Sequence, residues 1–464
     1  MDFSAPDTVW VLVSTILVML MTPGLAFFYA GLTHQRNTLN TLLMSFACLG
    51  IVSLVWVSLG YSLAFSEGNA WIGGLDYAFL QGVGTEASDG ATIPHLLFVA
   101  FQMMFAVITP ALISGAVVGR MKFSAYLFFV AFWSLGVYAP LCHWVWGGGF
   151  LSQDGALDFA GGTVVHVSAG VSALVAAWVL GPRKPNEQHE RAHSLPMVLL
   201  GAAMLWFGWF GFNAGSSLAA DGIAVNALMT THLAAASALL VWSLCELVSG
   251  SRPSATGLAI GAVVGLVGVT PAAGFVDSLG AIAIGGLSSV SAFGAMAYLK
   301  RFLLDDALDV FACHGVGGIV GSLLTGVFAS TAVNPAGADG LLAGNPSQMW
   351  PQLTSVLAAG LLAAVGTWTI LKLLELTIGI RVSSNDELSL DQALHEEAAY
   401  DQSGEKLFGE RVVDAGYATA AQVTEALRYQ MEHASSTPLG ELLCQRGWLK
   451  AEQLSALLGY RFSR

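Results

Sequence analysis

Apolar runs of about twenty residues, broken by short polar stretches, fill most of this chain. They lie near residues 8–32, 39–65, 94–119, 124–147, 160–181, 196–217, 225–249, 257–275, 279–299, 308–331 and 351–379. A helix rising about 1.5 Å per residue needs about 20 apolar residues to cross a bilayer, so the pattern predicts eleven transmembrane helices. Past residue 380 it changes to short amphipathic stretches punctuated by glycine, which predicts a small helical domain outside the membrane. The expected fold class is therefore all-α: a polytopic membrane protein over 1–380, a tail and linker over 381–403, and a helical domain over 404–464.

Composition agrees with that reading. The 464 residues are 55% hydrophobic and only 11% charged, with 53 glycines and a mean hydropathy of +0.67. A soluble protein carries about 25% charge, so this one belongs with membrane proteins, and glycine enrichment suits closely packed membrane helices. The net charge of -13 says little about partners, and no basic surface for nucleic acid is expected. The five cysteines, Cys48, Cys142, Cys245, Cys313 and Cys444, show no paired spacing and read as small hydrophobes.

The sign of charge alternates from loop to loop. Arg36, Arg120, Lys122, Arg183, Lys184, Arg191, Arg252, Lys300, Arg301, Lys372 and Arg381 fall on one side of the eleven-span pattern. The intervening loops carry Glu67, Asp76, Glu86, Asp89, Asp154, Asp158, Asp221, Asp277 and Asp339 without any Lys or Arg. By the positive-inside rule the N-terminus is expected outside and the C-terminus in the cytoplasm. The first residues lack the basic region of a signal peptide, so the first span is expected to insert directly.

An odd number of spans is readily built as five, five and one, the two fives inverted in the membrane, with the substrate site near the midplane between them. Pro23 to Gly31 of the first span is echoed by Gly208 to Gly215 of the sixth. Span five opens Asp158-Phe-Ala-Gly-Gly-Thr-Val-Val-His166, and span ten carries Asp309-Val-Phe-Ala-Cys-His314. Each thus sets an acid before a histidine, and the two histidines are expected to meet at the centre.

Ionisable groups at membrane depth cost about 2.5–3.5 kcal/mol each on insertion scales, and those that persist mark substrate or proton paths. Imidazole can donate or accept a proton within an otherwise apolar path. The other histidines, His34, His95, His143, His189, His193, His232, His395 and His433, read as loop, interface or tail residues. Aromatic and small polar groups cluster near the outer ends of the spans: Phe101, Phe105, Trp146, Trp209, Phe212 and Ser216. Ring faces attract a small cation by ~0.5–2 kcal/mol each, Ser216 can accept a hydrogen bond, and Phe105 stacked on Phe212 would reject hydrated ions. Asp158 either ligates a cation or caps its helix, and capping is the favoured role. Eight residues of helix set His166 ~12 Å deeper than Asp158. No nucleophile and base, and no metal-ligand spacing, points to an enzyme, and no cofactor is expected.

These motifs resemble the ammonium transporter, methylammonium permease and Rhesus family over about residues 8–401. The marks are Asp158 to His166, Phe207 to Ser216, Asp305 to Gly318 and Phe101-Gln-Met-Met-Phe105. The resemblance implies an eleven-helix protomer with an inverted repeat, assembled as a homotrimer with one pore per protomer in the bacterial inner membrane. It implies that Trp146, Phe105 and Ser216 form an outer ammonium site, supported by Phe101 and Trp209. Phe105 and Phe212 become the gate, His166 and His314 the pore pair, and Asp158 an electrostatic support. Trp146 and Ser216 set the chain on the ammonium-transporter branch, since the Rhesus branch usually lacks both. Signal proteins of the PII type often dock on the cytoplasmic face in this family.

The segment after Asp401 exceeds what that family needs. It repeats itself at an offset of 31: Gly409 with Gly440, Gly416 with Gly447, Tyr417 with Trp448, Gln422 with Gln453, Val423 with Leu454, Leu427 with Leu458 and Tyr429 with Tyr460. Each copy reads as two short helices around a glycine turn. The segment resembles the N-terminal domain of secretion and pilus assembly ATPases, the MshEN type, which binds cyclic di-GMP. The nucleotide-binding candidates are Gly409, Gly416, Gln430, Gly440, Gly447 and Arg461. Leu407 and Pro438 replace the motif arginines, and Arg461 stands where the second closing glutamine belongs. The sequence thus leads to an ammonium transporter regulated by its tail. An ammonium sensor that conducts little is the rival, and an unselective gas or water channel is a more remote one.

Overall fold

The computed structural model describes residues 3–88, 90–184, 192–299, 301, 304–384, 386–400, 407–432 and 437–457. Asp89, His189, Arg191, Lys300, Asp401, His433, Leu458, Tyr460 and Arg461, all singled out above, lie outside the described residues. Residues up to Ala399 form one compact unit and those from Tyr400 onward a second. The division falls inside the expected linker.

The first unit is a bundle of helices: α1 Ala5–Leu32, α2 Gln35–Phe65, α3 His95–Val117, α4 Phe123–Gln153, α5 Gly162–Leu180, α6 Leu195–Ser217, α7 Gly222–Val248, α8 Ala255–Val269, α9 Ser278–Leu299, α10 Phe311–Phe328 and α11 Pro346–Thr377. Among the described residues there is no β-strand, only isolated bridges. Ten of these helices are long and apolar enough to cross a membrane. The remaining one, α8, has 15 residues and spans only ~22 Å. The apolar run predicted to 275 leaves helical geometry after Val269 and continues as turns. Pro271 cannot donate to a helix ladder, and the opened backbone serves the neighbouring segment: the Pro271 carbonyl accepts the N–H of Phe159 at 3.0 Å. By contrast Pro110 stands inside α3 without ending it.

Short polar residues start several of the helices. The side chains of Ser4, Asp221, Ser254 and Asp277 accept backbone N–H groups of Asp7, Ala224, Gly257 and Gly280, satisfying donors that a helix N-terminus otherwise leaves orphaned. Elements paired by the proposed repeat touch. Helix α1 lies along α6 so closely that a Cβ on Gly201 would come within 2.3 Å of the Phe28 nitrogen. Helices α5 and α10 are tighter still, because a Cβ on Gly170 would meet the Gly315 nitrogen at 2.1 Å.

One end of the bundle is basic and laced together. Arg183 grips Asp305 through two side-chain bonds of 2.8 and 2.7 Å. Arg120 is fully buried and donates to the carbonyls of Gly181 and Asp305 at 2.8 and 2.5 Å. Burial pulls its guanidinium down to about 10, so it stays charged at neutral pH. The segment after α11 is strapped to this end. Arg381 donates to the carbonyls of Leu180 and Pro182, both at 2.7 Å, and pairs with Glu387. A short helix, α12 Leu390–His395, follows. Its Asp391 carboxylate accepts the N–H groups of Leu39 and Asn40 at 2.9 and 2.8 Å, capping α2 from 350 residues away in sequence.

Candidate functional site

Asp158 opens the site. Its Oδ1 accepts the N–H groups of Gly161 and Gly162 at 2.9 and 2.5 Å, and its Oδ2 those of Thr163 and Val164 at 2.8 and 3.2 Å. The Thr163 hydroxyl adds a bond of 2.5 Å to Oδ2. Five donors occupy a carboxylate that has about four lone-pair sites, so none is left for a cation. The turn depends on Gly161, which adopts φ 111°, a conformation that other residues avoid, with the Trp146 ring 3.3 Å from where its Cβ would stand. The Asp158 carbonyl also accepts the indole N–H of Trp146 at 2.9 Å. The aspartate therefore holds the tryptophan in place through its backbone while capping α5 with its side chain.

Trp146 meets the edge of Phe105 with ring centroids 6.1 Å apart. Phe101 lies one turn above on α3, 5.0 Å from Phe105. Phe105 and Phe212 stack face to face at 4.1 Å, both buried. Ser216 stands one turn beyond Phe212, and its hydroxyl donates to the Phe212 carbonyl at 2.8 Å. That bond uses the hydroxyl proton and leaves the oxygen lone pairs to accept another donor.

Beneath the phenylalanines, His166 and His314 stack at 5.3 Å with Nδ1 atoms 3.2 Å apart. Both sit in π-helical turns, Gly162–Val167 and Phe311–Val316, an irregularity that often marks functional positions. The Gly170 and Gly315 contact lets the two helices approach closely enough for the rings to meet. The cavity beside them, walled by Leu25, Ile108, Leu112, Val263 and other apolar side chains, has about 10 Å³, room for about one water centre. Among the described residues the His166 Nε2 has no hydrogen-bond partner. Trp209, expected at the outer cluster, stacks on His166 at 5.4 Å and ties its indole to the Thr270 hydroxyl at 2.9 Å. It is a wall of the histidine cavity.

Two features escaped the sequence reading. Asp309 is the nearer acid before His314 in sequence, yet the group that matches Asp158 is Asp306. It lies eight residues before His314 as Asp158 does before His166, and its Oδ2 accepts the N–H of Phe311, five residues on, at 2.7 Å. Burial, with Asp309 beside it, raises the Asp306 carboxyl to about 7, and its Oδ1 has no partner among the described residues. The equal spacing was the available signal. His143, read as a loop or interface residue, is buried within α4, and its ring nitrogens lie 3.0 and 2.8 Å from the carbonyls of Ala64 and Asn69. It pins the loop after α2. Among the described residues no cluster of three or more potential metal ligands occurs.

The family model "Ammonium Transporter Family" matches residues 9–400. The chain belongs to the ammonium transporter family. It is 48% identical over 400 residues to the "Ammonium transporter" of Bacillus subtilis, covering 86% of this chain and 99% of that one. Among solved structures, Mep2 of Saccharomyces cerevisiae is 34% identical with a TM-score of 0.80, covering 88% of this chain and 94% of its own. A structure titled "Sensor Amt Protein" is 29% identical with a TM-score of 0.77, covering 84% and 98%. The protein is thus a multi-pass membrane protein of a transporter family, and its relatives are named transporters, not enzymes.

The family match ends at residue 400, and the second unit is described by itself. Its helices are α13 Phe408–Asp414, α14 Ala420–Glu432, α15 Leu439–Gln445 and α16 Ala451–Leu457. Residues 408, 414 and 420 recur at 439, 445 and 451, so the repeat of 31 holds at helix boundaries. It holds at contacts too. A Cβ on Gly409 would meet Val423 at 2.7 Å, and one on Gly440 would meet Leu454 at 2.6 Å. Gly416 and Gly447 turn the chain at φ 67° and 72°. The Gln430 amide donates to the Thr437 carbonyl at 2.6 Å. Five of the six nucleotide-binding candidates therefore have packing or turn tasks, and Arg461 lies outside the described residues. A groove of about 470 Å³ beside Gly409 is lined by Phe408, Val413, Leu427 and Leu439 with Glu410 and Asp414, and among the described residues its lining carries no positive charge for phosphate.

Proposed function

We propose that the chain carries ammonium nitrogen across a bacterial inner membrane, from the Trp146 end of the bundle to the basic end, with its N-terminus outside and its C-terminus in the cytoplasm. The observation that carries this reading is the stacked His166 and His314 pair beneath the Phe105 and Phe212 gate, in a cavity of about 10 Å³. A bare cation in such an apolar space is far costlier than a neutral molecule. Ammonium is held by the ring faces of Trp146, Phe105 and Phe101 and by an N–H bond to the Ser216 oxygen. It gives up its proton above the gate, and ammonia passes along the histidines, where the free Nε2 of His166 offers a hydrogen-bond partner. The proton follows separately or in relay. Asp158 holds the entrance in shape and adds a negative potential without touching the cation. The protomers assemble as a homotrimer, each with its own pore, and PII-type signal proteins are candidate partners at the basic end.

The second unit is proposed as a regulatory module, with cyclic di-GMP as its ligand by resemblance to the MshEN type. Titration calorimetry of the full-length protein tests this, and no heat with excess nucleotide excludes that ligand.

A second reading, an ammonium sensor that signals through the tail with little conduction, draws support from the likeness to the protein titled "Sensor Amt Protein" and from the appended module. Currents on a solid-supported membrane after an ammonium jump separate the two. A sustained wild-type current supports transport, whereas binding without sustained current supports the sensor.

A further inference from the structure

Where the chain leaves Ser216 lies a cavity of about 520 Å³ whose wall includes Tyr61, Tyr77, His95, Phe98, Ser217 and Leu218. It is built from the end of α2, the loop before α3, the first turn of α3 and the loop leaving α6. Here those elements converge in a set of rings. The Tyr61 hydroxyl and His95 Nε2 are 2.5 Å apart. The ring of Tyr77 stands 5.7 Å from Tyr61 and meets His95 edge-on at 5.1 Å. Tyr61 lies edge-on to Phe98 at 6.4 Å, and Phe65 joins Phe98 at 5.0 Å.

We infer that this cavity is an outer antechamber that binds a small monovalent cation, ammonium or methylammonium, before it reaches Trp146. Three observations carry the inference. First, the aromatic side chains of Tyr61, Tyr77 and Phe98 line one space, and aromatic rings attract compact cations. Second, the cavity adjoins the proposed path through continuous chain. Ser217, Leu218 and Ala219 follow directly on Ser216, and Phe98 stands one turn above Phe101 on α3. Third, Leu218 holds φ 56°, an unfavourable conformation for a leucine. The Ser217 hydroxyl on the same wall is anchored to the Asp221 carboxylate at 2.7 Å, which adds negative potential. Strain of this kind persists where surrounding structure imposes it, commonly at binding sites.

The assignment deepens the transport reading and rests on it for the identity of the cation. Its test separates the two. Tyr77→Leu removes a ring face at a half-buried loop position, and Tyr77→Phe keeps the face while losing the hydroxyl. Ammonium-jump currents are expected to show half-saturation raised about threefold or more in Tyr77→Leu, with the current at saturating ammonium within about twofold of wild type and half-saturation restored in Tyr77→Phe. Wild-type current with unchanged half-saturation in Tyr77→Leu overturns the antechamber while leaving transport intact. If wild type passes no current, transport fails and binding decides the antechamber. Calorimetry of detergent-solubilised full-length protein with methylammonium is then expected to detect residual binding in Trp146→Leu that disappears in Trp146→Leu/Tyr77→Leu. No residual binding in Trp146→Leu, in protein that elutes as a single folded species, overturns the inference.

Discussion

A carboxylate with all its lone pairs engaged is a structural element before it is an electrostatic one. Asp158→Ala releases four backbone N–H groups and the Thr163 hydroxyl at once. Charge-assisted bonds contribute about 1.5–3 kcal/mol each and are not additive, so a loss of at least ~3 kcal/mol is expected, read as a lowered thermal midpoint in detergent. Trp146→Leu is expected to leave that midpoint nearly unchanged and to raise half-saturating ammonium about two- to thirtyfold, the range of one ring-face contact. Ammonium-jump currents check it, and an unselective channel would show no change. At this scale the sequence was legible where chemistry repeats locally. His166 and His314 announced themselves as polar residues in apolar helices, and Asp158 as a cap. Trp209 did not. It stacks on His166 and donates to Thr270 on α8's C-cap, a long-range contact that no local pattern encodes.

Helix contacts in this bundle are set by absent side chains. Gly170 and Gly315 let α5 and α10 cross almost backbone to backbone, and the distance between the histidines follows from that crossing. Gly170→Ala puts a methyl group where the Gly315 nitrogen stands, 2.1 Å away. The helices must separate, and the expected outcome is a large loss of ammonium-jump current together with a lower thermal midpoint. A wild-type current in this variant would mean that the histidine contact is not needed for conduction. The apolar runs made the helices legible, and most observed ends fall within a few residues of those expected. The end of α8 was not legible, because Val269 to Phe275 remains apolar while Pro271 and the demands of neighbouring donors reshape its backbone. Nor was the strap of Arg381 and Asp391, whose partners are distant carbonyls and N–H groups with no signature in sequence.

Across the whole molecule, the two halves place an aspartate eight residues before each histidine and give the two aspartates different surroundings. Asp158 is saturated with donors, whereas burial raises the Asp306 carboxyl to about 7. For a raised carboxyl, the neutral form is the one the fold favours, and that advantage disappears as pH rises through about 7. Ionisation there places a negative charge at the basic end of the bundle, with Asp309 adjacent and Arg120 at longer range. Ammonium-jump current is therefore expected to rise as pH at the basic end passes through about 7, and Asp306→Asn to hold it at the low-pH level. Unchanged pH dependence in that variant would remove Asp306 from the pathway. The internal repeat was legible too, since the offset from 409 to 440 and from 416 to 447 reappears in helix ends and glycine turns. What the module binds was not, because the arginines that would name a ligand are absent from their motif positions.

The Nδ1 atoms of His166 and His314, 3.2 Å apart, can share only one proton, so at any instant one ring gives and the other receives. That asymmetry is a one-bit memory. A proton handed through the pair reverses it, and a second cannot follow by the same route until the rings return to their first state. A neutral molecule gliding past leaves the bit as it was. A proton relay through this pair would carry one charge per reset of the two rings.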